Sequence, residues 1–67
     1  MKLIRENRVT GHEATVEIAY AVAVLHADTG IPKSEIRRLL EANQQLNGDR
    51  YSFRATGVTR QNHEDYE

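Results

Sequence analysis

Between Glu13 and Ala27 the chain carries no Lys or Arg, and apolar side chains occupy every position except Glu13, Thr15, Glu17 and His26. How this segment folds decides the rest. Read with a period of two, Val16, Ile18, Tyr20, Val22 and Val24 share one face, with Glu17, Ala19, Ala21 and Ala23 on the other, which is a strand pattern. Read as a helix, it opens on Thr10-Gly11-His12-Glu13, a capping box in which Thr10 and Glu13 satisfy each other's backbone donors. It would close at Asp28-Thr29-Gly30, with Gly30 in the left-handed conformation of a C-cap. Five alanines (Ala14, Ala19, Ala21, Ala23, Ala27) and a length beyond the usual strand of about 5–6 residues favour the helix. The expectation is therefore a helix over about 13–27, with a ββαβ fold having 14–25 as central strand as the alternative.

A second helix is expected over about 32–46. Pro32 suits a first helical turn, where its missing N–H is no loss. Ile36, Leu39, Leu40, Asn43 and Leu46 then recur at three- and four-residue steps, and Asn47-Gly48-Asp49 reads as a C-cap and turn cluster. Leu3 to Val9 is expected as a short N-terminal strand. Tyr51 to Ala55 alternates aromatic and polar residues as an edge strand does, Thr56-Gly57 interrupts it, and Val58-Thr59-Arg60 can return as the second arm of a hairpin. The class is thus α+β, a single small domain over 1–60. Residues 61–67 carry three acids and no Lys or Arg and are expected to be a disordered acidic tail.

A chain of 67 residues buries a modest core, and with no Cys it has no disulfide to reinforce one. An apolar circumference on residues 14–25 in so small a chain predicts a homodimer. The lack of Cys also removes thiol catalysis and Cys-ligated zinc, and fits a reducing compartment, so a cytoplasmic location is expected. No apolar run approaches the roughly 20 residues of a membrane span, and Lys2, Arg5 and Glu6 interrupt the start too early for a signal peptide.

Chemistry-bearing motifs are sparse. His12, His26 and His63 lie too far apart to share a metal on one helix face, and a lone His26 on an Ala-rich helix is expected to be packed or exposed rather than a ligand. The four glycines are scattered, so no phosphate-cradling loop is present, and Ser34 and Ser52 have no adjacent base. Neither an enzyme nor a cofactor is expected. Charge is uneven, however. Residues 31–60 hold six basic side chains (Lys33, Arg37, Arg38, Arg50, Arg54, Arg60) against three acidic ones (Glu35, Glu41, Asp49), an electrostatic footprint suited to an anionic polymer.

Within this basic half, Leu25-His26-Ala27-Asp28-Thr29-Gly30-Ile31-Pro32-Lys33-Ser34-Glu35-Ile36-Arg37-Arg38-Leu39-Leu40 resembles the helix-turn-helix core of bacterial winged-helix regulators of the IclR type. Gly-Asp-Arg-Tyr-Ser-Phe-Arg at 48–54 is similar to the strand that closes the wing there. The likeness covers about 30 of the 67 residues. Thr29 to Leu40 also resembles, more weakly, the second helix of ribbon-helix-helix repressors. The resemblance implies a small DNA-binding transcriptional regulator. Lys33, Ser34, Arg37 and Arg38 would face the groove, Arg37 or Arg38 reading base edges, and Lys33, Arg50, Arg54 and Arg60 would contact phosphates. The alternative is a non-enzymatic protein-binding module, such as a small phage-encoded accessory or inhibitor protein, with the strand at 51–55 as its docking edge.

Overall fold

The computed structural model describes residues 1–57. Two β-hairpins flank a pair of helices: β1 (Lys2–Asn7), β2 (Glu13–Glu17), α1 (Ile18–Thr29), α2 (Lys33–Asn43), β3 (Gln45–Asn47) and β4 (Tyr51–Ala55). The class is α+β, as expected. All strand pairs are antiparallel, in the order β2-β1-β4-β3.

The ambiguous segment is divided, and each half follows its own physics. Over Glu13–Glu17 the alternation wins: Ala14 and Val16 are half-buried opposite Arg5 and Leu3, while Glu13, Thr15 and Glu17 point to solvent. From Ile18 onward, four of the five alanines lie within the next ten residues and the helix wins. The expected helix over 13–27 therefore begins five residues later, and 14–25 is not a central strand, because only its first part pairs, at the sheet's edge. Thr10 caps no helix. Its hydroxyl accepts from the His12 N–H (3.2 Å) inside the β1–β2 turn, where Asn7 Oδ1 takes the N–H groups of Val9 and Thr10.

α1 ends as the sequence suggests, with Gly30 left-handed at φ 79° and its N–H on the His26 carbonyl. α2 starts directly after Pro32 but ends at Asn43, three residues short of the expected boundary. Gln44 takes the left-handed conformation (φ 61°), and Leu46 leaves the helix to sit opposite Phe53 in β3. A side chain three residues past Asn43 reaches the core by either route. The route through the sheet adds ladder hydrogen bonds, including Ala55 N–H to the Gln44 carbonyl (2.8 Å). Asn47-Gly48-Asp49 is accordingly the turn between β3 and β4 rather than a helix cap.

β4 is not an edge strand. It lies between β1 and β3, and its alternation separates two faces: Tyr51, Phe53 and Ala55 face the helices, Ser52 and Arg54 the opposite side. The core comprises Leu3, Ala21, Val22, Leu25, Ile36, Leu40 and Phe53, all within 6% of complete burial, and no polar residue is buried among the described residues. The helices cover one face of the sheet and leave the other to water. No helix among the described residues is long and apolar enough to cross a membrane. Val58 to Glu67, with the possible hairpin arm and the acidic tail, lie outside the described residues.

Candidate nucleic-acid interface

The link between the two helices is fixed by local polar contacts. The Thr29 hydroxyl donates to the Leu25 carbonyl (2.7 Å) and accepts from the Ile31 N–H (3.2 Å), and the His26 ring closes on the Ile31 carbonyl through Nδ1 (2.8 Å). Nδ1 must therefore carry the proton. His26, exposed on α1, thus braces the turn. Ile36 and Leu40 are fully buried and Ile31 packs against the same core, so α2 is held with its opposite side outward.

That outward side carries Lys33, Ser34, Arg37, Arg38 and Glu41, all exposed. Arg38 donates two hydrogen bonds to the Glu35 carboxylate one turn earlier, and Arg37 lies 3.9 Å from Glu41 one turn later. Lys33 makes no ion pair among the described residues. Exposed pairs of this kind are worth about 0–1 kcal/mol, so a polyanion can take over these guanidinium groups at little cost. No side chain caps the N-terminus of α2, so its first backbone N–H groups have no side-chain partner at the end where Lys33 and Ser34 lie.

The β3–β4 turn comes to the same end of the molecule. Asp28, at the end of α1 and five residues before Lys33, accepts the Arg50 N–H at 2.7 Å and the Tyr51 N–H at 3.4 Å through Oδ2. Arg8, just past β1, donates from its guanidinium to the Gly48 carbonyl and from its backbone to the Arg50 carbonyl (2.8 Å). Between α1 and this turn runs an open groove of about 370 Å³, lined by Val24, Ala27, Asp28, Asp49, Arg50 and Tyr51. The structure thus puts Lys33, Ser34, Arg37 and Arg38 together on the exposed side of α2 and sets Arg50 on a turn held to the end of α1.

Arg54 is placed elsewhere. It projects from the face of the sheet opposite the helices, where its guanidinium meets Glu6 (3.5 Å) and Glu13 (3.1 Å) with its side chain only 13% exposed. Arg60 lies outside the described residues. Two cations that no sequence motif singles out also matter. Arg8 meets the turn through contacts 40 and 42 residues along the chain. Arg5 projects from the helix-facing side of β1, between the Tyr20 and Tyr51 rings (5.9 and 5.3 Å to the centroids), and donates to the Tyr20 hydroxyl (2.8 Å). Among the described residues no cluster of three or more His, Asp or Glu side chains is disposed to hold a metal.

No family model matches the chain, and neither a curated protein nor a solved structure matches it.

Proposed function

We propose that the protein is a small, non-enzymatic regulator of helix-turn-helix type that binds duplex DNA through α2 and the β3–β4 turn. One observation carries this reading: the hairpin that follows α2, where the likeness to winged-helix regulators puts a wing, is hydrogen-bonded to the end of α1 beside the start of α2. The β3–β4 turn is thereby fixed to the end of α1, and Lys33 opens α2 five residues after Asp28. Lys33, Arg50 and Arg8 supply phosphate contacts, aided by the free N–H groups at the start of α2. Arg37 and Arg38, midway along the exposed side of α2, exchange Glu41 and Glu35 for base edges or phosphates. Arg54, held by two carboxylates on the far face, is not part of this surface.

A second feature supports self-association. α1 leaves Ala19, Tyr20, Ala23, His26 and Ala27 exposed, an arc free of Lys, Arg, Asp and Glu. Its small residues are spaced symmetrically about Ala23, so an antiparallel α1–α1 contact would set Ala19 against Ala27 of a second copy. A cytoplasmic homodimer presenting two copies of α2 to DNA is the assembly we favour. The competing protein-binding module loses its expected docking edge at 51–55, since β4 is paired on both sides. A mobility-shift titration with mixed-sequence duplex at low salt tests the reading. A complex at or below ~10 μM is expected, and the absence of any complex refutes it.

A further inference from the structure

Asp28 stands where a carboxylate is electrostatically out of place, in the last turn of a helix whose C-terminal carbonyls carry partial negative charge. Its partners are not on the helix. Oδ2 takes the Arg50 and Tyr51 N–H groups of the β3–β4 turn, across 22 and 23 residues of chain. The turn is shaped to receive it. Gly48 is buried, and a Cβ added there would meet Asp28 Oδ2 at 2.5 Å, Leu25 Cδ2 at 3.0 Å and the Tyr51 carbonyl at 3.1 Å. Gly48 does not need a left-handed backbone, so what requires glycine is the close approach of the carboxylate. From the other side Arg8 holds the Gly48 and Arg50 carbonyls, and the Gly48 N–H closes the turn on the Tyr51 carbonyl at 2.7 Å.

We infer that Asp28, seated against Gly48, is a positioning residue that locks the hairpin tip to the helix pair, and that this fixed spacing makes the surface selective for duplex over single-stranded DNA. The inference rests on the nucleic-acid reading above. A turn held rigidly presents its cation at a fixed place, which suits the fixed spacing of duplex phosphates. Single strands are gripped instead by grooves lined with aromatic side chains on which bases stack. Here the groove beside the turn has a single aromatic in its lining, Tyr51, half-buried and with its ring already covered by Arg5. Loosening the tip should therefore cost duplex affinity and leave single-strand affinity almost untouched.

The test combines amide hydrogen exchange with DNA titration on the full chain. In Asp28→Ala the Arg50 and Tyr51 amides should exchange at least tenfold faster while the amides of α2 and β1 stay protected. Duplex affinity should fall about tenfold and single-strand affinity less than twofold. Asp28→Asn keeps a carbonyl acceptor for the Arg50 N–H and should restore most of both effects. Gly48→Ala displaces the carboxylate without removing it and should reproduce the alanine phenotype, with little further loss when combined with Asp28→Ala. Unchanged Arg50 and Tyr51 exchange in Asp28→Ala overturns the lock. Faster exchange with an unchanged duplex-to-single-strand ratio overturns its role in selectivity. A wild-type protein that holds its turn amides yet binds no duplex overturns the functional reading, and this inference with it.

Discussion

Arg54 and Arg50 lie four residues apart in the same hairpin, and the structure assigns them opposite consequences when replaced. Arg54→Met keeps the length and apolar stem of the side chain but removes the guanidinium between Glu6 and Glu13, whose side chains are 15% and 39% exposed against 13% for Arg54. Breaking a fully buried pair costs about 3–5 kcal/mol, whereas losing an exposed one costs about 0–1 kcal/mol. Two partly shielded carboxylates facing each other across the β1–β2 ladder fall between these limits, so a loss of about 2 kcal/mol is expected. For a domain of this size that lowers the melting temperature by roughly 8–16 °C. The exponent of salt-dependent DNA binding should not change. Arg50→Met removes an exposed cation while its backbone N–H keeps Asp28, so stability should stay within about 0.5 kcal/mol and the salt exponent should drop by about one. Thermal unfolding by far-UV circular dichroism, with DNA titrations at three salt concentrations, reads both. A melting temperature for Arg54→Met within 2 °C of wild type, with a flattened salt dependence, would show that Arg54 serves DNA and that the carboxylate contacts are incidental.

Leu25→Ala, at a fully buried core position on α1, should cost about 2–5 kcal/mol, seen as a lowered urea midpoint with the helix–turn contacts around Thr29 weakened. Gly30→Ala forces a side chain into the left-handed region and should destabilise by about 1–2 kcal/mol, with Gly30→Asn milder; equal unfolding midpoints for the two would contradict the backbone argument. Ala23→Glu puts a charge at the centre of the exposed arc of α1. It should turn a dimer into a folded monomer in sedimentation experiments, and a dimer that survives the change locates self-association elsewhere.

What could be read in the sequence depended on the range of the interaction. Gly30, Ile36 and Leu40 encode the two helices and the turn between them locally and stand in their expected places, while Pro32 caps α2 from just outside it. The segment from Glu13 supports two periodicities because alanine and valine alternate while also populating every face of a helix. Only pairing with β1, a contact between hairpin partners, ends the strand at Glu17. Leu46 likewise satisfies an apolar stripe in either conformation, and its pairing with Phe53 decides. The surface was legible where it lies on one helix: Lys33, Ser34, Arg37 and Arg38 share an exposed side because helical spacing puts them there. Arg54 read as one more cation of a basic region, since the Glu6 and Glu13 carboxylates that engage it lie 48 and 41 residues away. Arg8 and Asp28 carried no local signal, as their partners sit across the fold.

Whether α2 and the β3–β4 turn together bind DNA is read from the salt dependence of duplex affinity. With Lys33, Arg37, Arg38, Arg50 and Arg8 available and Arg54 engaged elsewhere, three to five phosphates should be neutralised. Log affinity should then fall with log salt at a slope of about −3 to −4.5, and the triple replacement of Lys33, Arg37 and Arg50 by Met should remove most of that slope without unfolding the protein. Duplex binding whose slope survives this replacement, or no binding at ~10 μM protein in low salt, would show that α2 and the turn are not a DNA-binding surface.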